Sequence, residues 1–150
     1  MKYNQGFYHP QNPQKYVGAV GNIVYRSGLE WRMMRYFDQH RGVLQWSSEE
    51  IKIPYIRPDD GNWHRYYPDF LVRLRQSNGS DKTFLIEVKP LKQTQPPKNP
   101  KTKPQQRRYL KEMASFAINH AKWEAAKEWC SLRGADFLVL TEVEILGQFK

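Results

Sequence analysis

Residues 66–90 read YYPDFLVRLRQSNGSDKTFLIEVKP, two apolar runs around a turn, and the register between those runs decides the fold. Phe70, Val72 and Leu74 alternate along the first run, and Phe84, Ile86 and Val88 along the second, each with the period of a strand. Facing residues of an antiparallel pair share one side of the sheet. The two apolar sets therefore meet only if Phe70 lies opposite Ile86 and Val72 opposite Phe84. A two-residue turn at Asn78-Gly79 would set Phe70 against Glu87, so the apolar pattern rejects it. A three-residue loop, Ser77-Asn78-Gly79, with a type I turn and Gly79 in the left-handed region, gives the required register.

That register has a consequence on the other side of the sheet, where Asp69 comes to face Glu87. Directly opposed residues have Cβ atoms about 4.5–5.5 Å apart, and like charges there repel. A solvated face gains nothing from such a pair, whereas a divalent cation between the carboxylates relieves the repulsion. Lys89 follows Glu87 on the same side, about 6.5–7 Å along the strand. Pro68 suits a first strand position, because it needs no hydrogen-bond donor there.

Composition narrows the class. At 150 residues, the expectation is a single domain, 1–150, with a core of its own. Cys130 is the one cysteine, so no internal disulfide forms and a reducing, intracellular compartment is expected. No run approaches the ~20 apolar residues of a membrane span, and the start of the chain lacks a signal-like apolar stretch. The net charge is +9, and it is concentrated. From Lys89 to Lys111 the chain carries Lys92, Lys98, Lys101, Lys103, Arg107 and Arg108 with no acid among them. A polyanion, most economically nucleic acid, is the expected partner.

Around the hairpin, residues 1–24 are rich in Gly, Asn, Pro and Tyr and predict an irregular arm across the surface. Ser27-Gly28-Leu29-Glu30 has the form of a capping box opening a helix with Leu29, Met33 and Phe37 on its apolar stripe, ending near Gly42. Strands are expected near 43–46 and 51–55, then a turn-rich insertion at 57–62. Residues 90–104 hold five prolines and four lysines and predict a mobile basic loop. Helical spacing runs over 105–133, with Asn119 read as the cap of a second helix after a short break and Gly134 as the left-handed stop. The final strand, 137–140, is almost continuously apolar and is expected to be buried on both faces. The order gives an α/β fold with a mixed central sheet flanked by helices.

Pro68-Asp69, the hairpin, Glu87-Val88-Lys89 and a preceding helix bearing Glu30 together resemble the PD-(D/E)xK, restriction-endonuclease-like nucleases. YRSGLE (25–30), YYPDF (66–70), IEVKP (86–90) and GADFLVLTE (134–142) resemble the TnsA-like endonuclease branch more narrowly. With NPQKYVG (12–18) and IPYIRPDDGNWHRYYPDF (53–70), the whole chain is similar to the head-completion nucleases of T-even-type tailed bacteriophages. The resemblance implies an endonuclease, with exonuclease action left open, in which Asp69, Glu87, the Val88 carbonyl and Glu30 hold Mg2+, with Mn2+ as a substitute. Lys89 would position or activate the attacking water. It further implies DNA as substrate, portal or neck proteins as partners, and a place in the host cytoplasm during assembly or in the virion. In the TnsA pattern the second-strand acid can be Gln, whereas here it is Glu87.

A capping box explains Glu30 without any metal. His64 and Arg65 precede the first strand where they could meet phosphate, and loop packing explains them equally well. The basic side chains Lys92, Lys98, Lys101, Lys103, Arg107 and Arg108 are expected to meet backbone phosphates without reading bases. His9, His40, His64 and His120 lack ligand spacing, which argues against zinc. The five tryptophans sit mostly at core-like spacings. Two rival functions remain: a non-catalytic DNA- or portal-binding adaptor in a head–neck assembly, and an RNA-binding module stacking bases on Tyr66 and Tyr67.

Overall fold

The computed structural model describes residues 5–148. The elements in chain order are β1 (Gly6–Phe7), β2 (Val24–Tyr25), α1 (Gly28–Gln39), β3 (Val43–Ser48), β4 (Ile53–Ile56), β5 (Trp63–Tyr66), β6 (Phe70–Arg75), β7 (Asp81–Val88), α2 (Leu91–Thr94), α3 (Lys103–Ser131), β8 (Asp136–Leu140) and α4 (Glu142–Gln148). The central sheet has the order β3-β6-β7-β8. Its first three strands are antiparallel, and β8 runs parallel to β7. The fold is therefore α/β with a mixed central sheet. No helix among the described residues is long and apolar enough to cross a membrane.

The hairpin has the register that its apolar alternation demands, Phe70 opposite Ile86 and Val72 opposite Phe84. Gln76 N–H donates to Ser80 O at 2.8 Å and Gly79 N–H to Gln76 O at 2.9 Å. Residues 77–79 thus form the three-residue loop, and Gly79 takes φ 87°, where any other residue would be strained.

Both faces of the sheet are covered. On one, Phe70, Val72 and Ile86 pack with Val43 and Trp46 of β3, Met33, Met34 and Phe37 of α1, and Ile145 of α4. On the other, Leu85 packs with Trp123, Ala126 and Cys130 of α3 and with Ile53, Tyr55 and Tyr66 of the β4–β5 hairpin. Glu87, two residues along from Leu85, belongs to this second face.

Several expectations need correction. The turn-rich segment 57–62 is the tip of a separate antiparallel pair, β4–β5, and β5 is a strand the sequence reading did not separate. β8 is an edge strand, with Leu138 38 % exposed, because among the described residues its apolar run borders β7 alone. α3 is one continuous helix, and Asn119 lies inside it. No glycine or proline interrupts residues 105–133. What looked like a break is a change of partner: Leu110 is 68 % exposed, whereas Trp123, Ala126 and Cys130 are buried. Gly134, at φ 66°, ends the helix in the left-handed region. Within 90–104 the chain forms the one-turn α2, which has no buried residue, and α3 already begins at Lys103. Among the tryptophans, Trp63 is 69 % exposed at the outer end of the β4–β5 pair.

The arm is anchored more firmly than its composition suggests; residues 1–4 of that segment lie outside the described residues. β1 pairs with β2, and Tyr8, Tyr16 and Ile23 are buried in the α1-side core. The anchor is Asp38, fully buried on α1. Its Oδ2 accepts hydrogen bonds from the Tyr8 hydroxyl at 2.7 Å and Gln11 N–H at 2.8 Å, and its Oδ1 accepts from Asn12 N–H at 2.8 Å. Its carbonyl accepts from Asn12 Nδ2 and Lys15 Nζ. A buried carboxylate is stable only when such donors surround it. Each orphaned buried donor costs about 1–3 kcal/mol, so Asp38→Ala should lower the unfolding free energy by about 3 kcal/mol or more, measured by urea denaturation. A loss below about 1 kcal/mol, the range of ordinary surface changes, would mean that the arm is held by its tyrosines instead.

Candidate active site

The site forms where β6 begins and β7 ends. Pro68 is fully buried, and Asp69 stands one residue before β6. In the antiparallel ladder Pro68 would face Val88, but it has no N–H to give. Val88 N–H instead donates to Asp69 Oδ2 at 2.7 Å, which fixes that carboxylate against the end of β7. The N–H and C=O of one strand residue point to the same side. The Val88 carbonyl therefore also faces the Asp69 end, where Pro68 leaves it without a ladder donor.

Glu87 is 8 % exposed. Its Oε1 accepts a hydrogen bond from the Tyr66 hydroxyl at 2.7 Å, and its Oε2 lies 3.5 Å from Lys89 Nζ. Asp69, Glu87, Val88 and Lys89 are thus brought together. Burial raises the Asp69 carboxyl well above its ordinary range, with further increases from Glu87 and then Glu30, against the Val88 N–H and Lys89. Burial raises Glu87 too, opposed by the Tyr66 hydroxyl, Lys89 and Lys122. Burial, then Glu87, pushes the Tyr66 hydroxyl far up, so it stays protonated and donates.

Glu30 approaches from α1. Ser27 Oγ accepts from Glu30 N–H at 3.1 Å, the first half of the capping box. The return bond differs: Glu30 Oε1 accepts from Arg26 N–H at 3.0 Å, one residue before the cap. Burial raises the Glu30 carboxyl, and Glu49 and Glu87 add to the effect. Glu49 itself has φ 56°, a left-handed conformation uncommon for a side-chain-bearing residue. Its N–H donates to Asp69 O at 3.0 Å, and its carboxylate takes a two-pronged grip from Arg26, both contacts at 3.0 Å.

The other expected contacts lie elsewhere. His64, on β5, bonds Asp60 Oδ2 through Nε2 at 2.8 Å, and Arg65 is exposed beside it. Lys92, Lys98, Lys101, Lys103, Arg107 and Arg108 are all exposed along α2, the connection and the first half of α3. Tyr66 is only 4 % exposed, which removes it as a base-stacking platform. Tyr66 and Lys122 were missed as site residues. One tyrosine of a pair and one lysine of a basic helix carry no sequence signal of where they point.

Among the described residues no three His, Cys, Asp or Glu side chains stand close enough to enclose a metal ion. The pair Asp69 and Glu87, with the Val88 carbonyl, is instead an open half-shell of hard oxygen donors. That suits a cation such as Mg2+, which keeps several waters and does not need an all-protein cage. The raised carboxyls fit the same description, since a cation would relieve the burial and repulsion that raise them.

This predicts a pH dependence. With native pKa values above their ordinary ones, Asp69 and Glu87 let the folded chain bind more protons than the unfolded chain in the window between. Their contribution to stability is present below the ordinary carboxylate range, about pH 4, and is lost as pH rises through the raised native values. In EDTA, Asp69→Asn should gain on wild type in thermal melts as pH rises from about 5 to 8, by on the order of 1–3 kcal/mol. A difference that stays flat across pH would show that the two acids do not share a field.

Comparison with known proteins identifies the family. Residues 40–142 match the TnsA-like endonuclease N-terminal family, a span containing Asp69, Glu87 and Lys89 but beginning after Glu30. Over 139 residues, 91 % of this chain and 90 % of the relative, the sequence is 35 % identical to the head completion nuclease of Enterobacteria phage T4. The chain belongs to the TnsA-like endonuclease family.

Proposed function

We propose that this protein is a divalent-cation-dependent deoxyribonuclease that hydrolyses phosphodiester bonds in DNA with little sequence preference, during phage head completion and head–tail joining. The observation that carries the reading is the opposed pair of the half-buried Asp69 and the buried Glu87, with Lys89 Nζ 3.5 Å from Glu87. The relative's name supports the biological setting.

On this reading Asp69, Glu87 and the Val88 carbonyl hold Mg2+, or Mn2+ in its place, with Glu30 at the edge of the same field. When bound, the ion supplies Lewis-acid chemistry, drawing charge from the phosphoryl oxygens and easing deprotonation of a water. Val88 N–H and the Tyr66 hydroxyl hold the two carboxylates in place. Lys89 presents positive charge where the phosphate gathers negative charge, and orients the attacking water. One P–O ester bond breaks as one forms to the water oxygen, and the released oxygen takes up a proton. The exposed lysines and arginines of 92–108 contact phosphates alone, which leaves base sequence unread. The protein would work in the host cytoplasm or within the assembling particle, beside portal or neck proteins.

A second reading, the non-catalytic adaptor, is favoured by the first half of α3, which is exposed and carries Leu110 beside Arg107 and Arg108. Circular DNA separates the two. Wild type with Mg2+ should nick it, EDTA should stop the reaction, and Glu87→Ala or Lys89→Ala should each reduce the rate about a hundredfold or more while remaining folded. Undiminished cutting by Glu87→Ala would remove the assignment. Replacing Lys98, Lys101 and Lys103 by Ala should weaken DNA binding at every sequence and lower the log–log salt slope by about 0.9 for each phosphate no longer neutralised. An unchanged slope, measured by fluorescence anisotropy, would assign this segment to a protein partner.

A further inference from the structure

Lys122 lies on the packed half of α3, beside the buried Trp123. Its Nζ stands 5.6 Å from the centre of the Tyr66 ring, and the hydroxyl of that ring bonds Glu87. The ammonium therefore stands on the α3 side within electrostatic range of the carboxylate pair, without touching it. It is half-buried, and among the described residues Nζ has no hydrogen bond or ion pair. Lys89, by contrast, already leans on Glu87. The charged groups in reach of Lys122 are Lys89 and Arg57, which repel it, and Glu87 and Asp69, which attract it. Arg57 is itself gripped by Asp59.

A partly desolvated ammonium with three donors, resting on an aromatic face and bonded to neither carboxylate, lacks its protein acceptors. Were its task to cover Tyr66, an uncharged chain of the same length would do so without the cost of burying charge. We propose that Lys122 is a DNA-binding residue of the active site, donating to a backbone phosphate next to the scissile one and so fixing the strand between α3 and the Asp69–Glu87 pair. The assignment rests on the nuclease reading for its substrate. Burial, with Lys89, also lowers the Lys122 pKa, as expected of an ammonium awaiting an anion.

The test uses Lys122→Met, which keeps the stem on Tyr66, Lys122→Gln as a second neutral variant should Met disturb the fold, and Lys122→Arg, which keeps the charge. Binding of a short fluorescent duplex is measured in EDTA over a salt series, and single-turnover cleavage in Mg2+. The neutral variants should melt at or above the wild-type temperature and bind about tenfold more weakly. Their salt slope should be shallower by about 0.9, with cleavage at subsaturating DNA falling in proportion, while Lys122→Arg should retain most of both. Neutral variants that bind with wild-type affinity and slope would overturn the proposal, as would an arginine variant as weak as the neutral ones. The binding arm needs no cutting. If wild type fails to nick DNA while the neutral variants lose affinity, the nuclease reading falls and the phosphate contact stands.

Discussion

Two carboxylates held a strand's width apart and largely out of water repel one another, and much of this structure is arranged to keep Asp69 and Glu87 in that position. At about 5 Å and an effective dielectric near 20, the repulsion between full charges is about 3 kcal/mol. Against it stand one backbone donor on Asp69, one phenol on Glu87 and one ammonium beside it. Hydrogen bonds to charged groups contribute about 1.5–3 kcal/mol each, so the donors offset the repulsion while the burial remains. The raised Asp69 and Glu87 carboxyls are that remainder.

The surrounding elements follow from the need to supply those donors. Tyr66 can reach Glu87 only because β4 and β5 form a pair of their own, lying with α3 over the face of the sheet that carries Leu85. The α1 face has no room for such a group, since Phe70, Val72, Ile86, Trp46 and Phe37 close it. Glu30 and Glu49 instead arrive at its edge, tied to Arg26. The site thus sits where the two cores end, with an acidic side toward α1 and a basic side, Lys89 and Lys122, toward α3.

The hairpin register was legible because two independent constraints agree on it: the alternation of Phe70, Val72, Phe84 and Ile86, and a glycine where a three-residue loop needs positive φ. Once the register is known, Asp69, Glu87 and Lys89 follow. What was not legible depends on partners distant in sequence. The run 137–140 reads as a central strand until one knows that β8 has a single neighbour. The stripe on α3 reads as two helices until one knows that its first half is largely exposed, Leu110 among it, while Trp123, Ala126 and Cys130 are buried. Tyr8 and Tyr16 look like surface residues of a polar arm, because the carboxylate that fixes Tyr8 is 30 residues away on α1. Lys122 is one lysine among many until α3 is laid against Tyr66.

The charge map also bears on the order of events. The chain as a whole carries +9, and its exposed cations along 92–108 draw a polyanion toward the surface from any direction. At the site itself the balance reverses, because Asp69, Glu87, Glu30 and Glu49 outnumber the cations that face them. A phosphate entering without a metal ion would meet that field in a medium of reduced dielectric, where it is felt strongly. On the nuclease reading, a cation held by Asp69, Glu87 and the Val88 carbonyl would supply positive charge where the phosphate must sit, and so offset that field. Each then binds more tightly in the presence of the other, and by linkage the coupling is equal in both directions. On the same reading Lys122 and Lys89 temper the repulsion in the meantime, so that the neighbouring phosphate taken by Lys122 needs no ion and only the scissile phosphate waits for it.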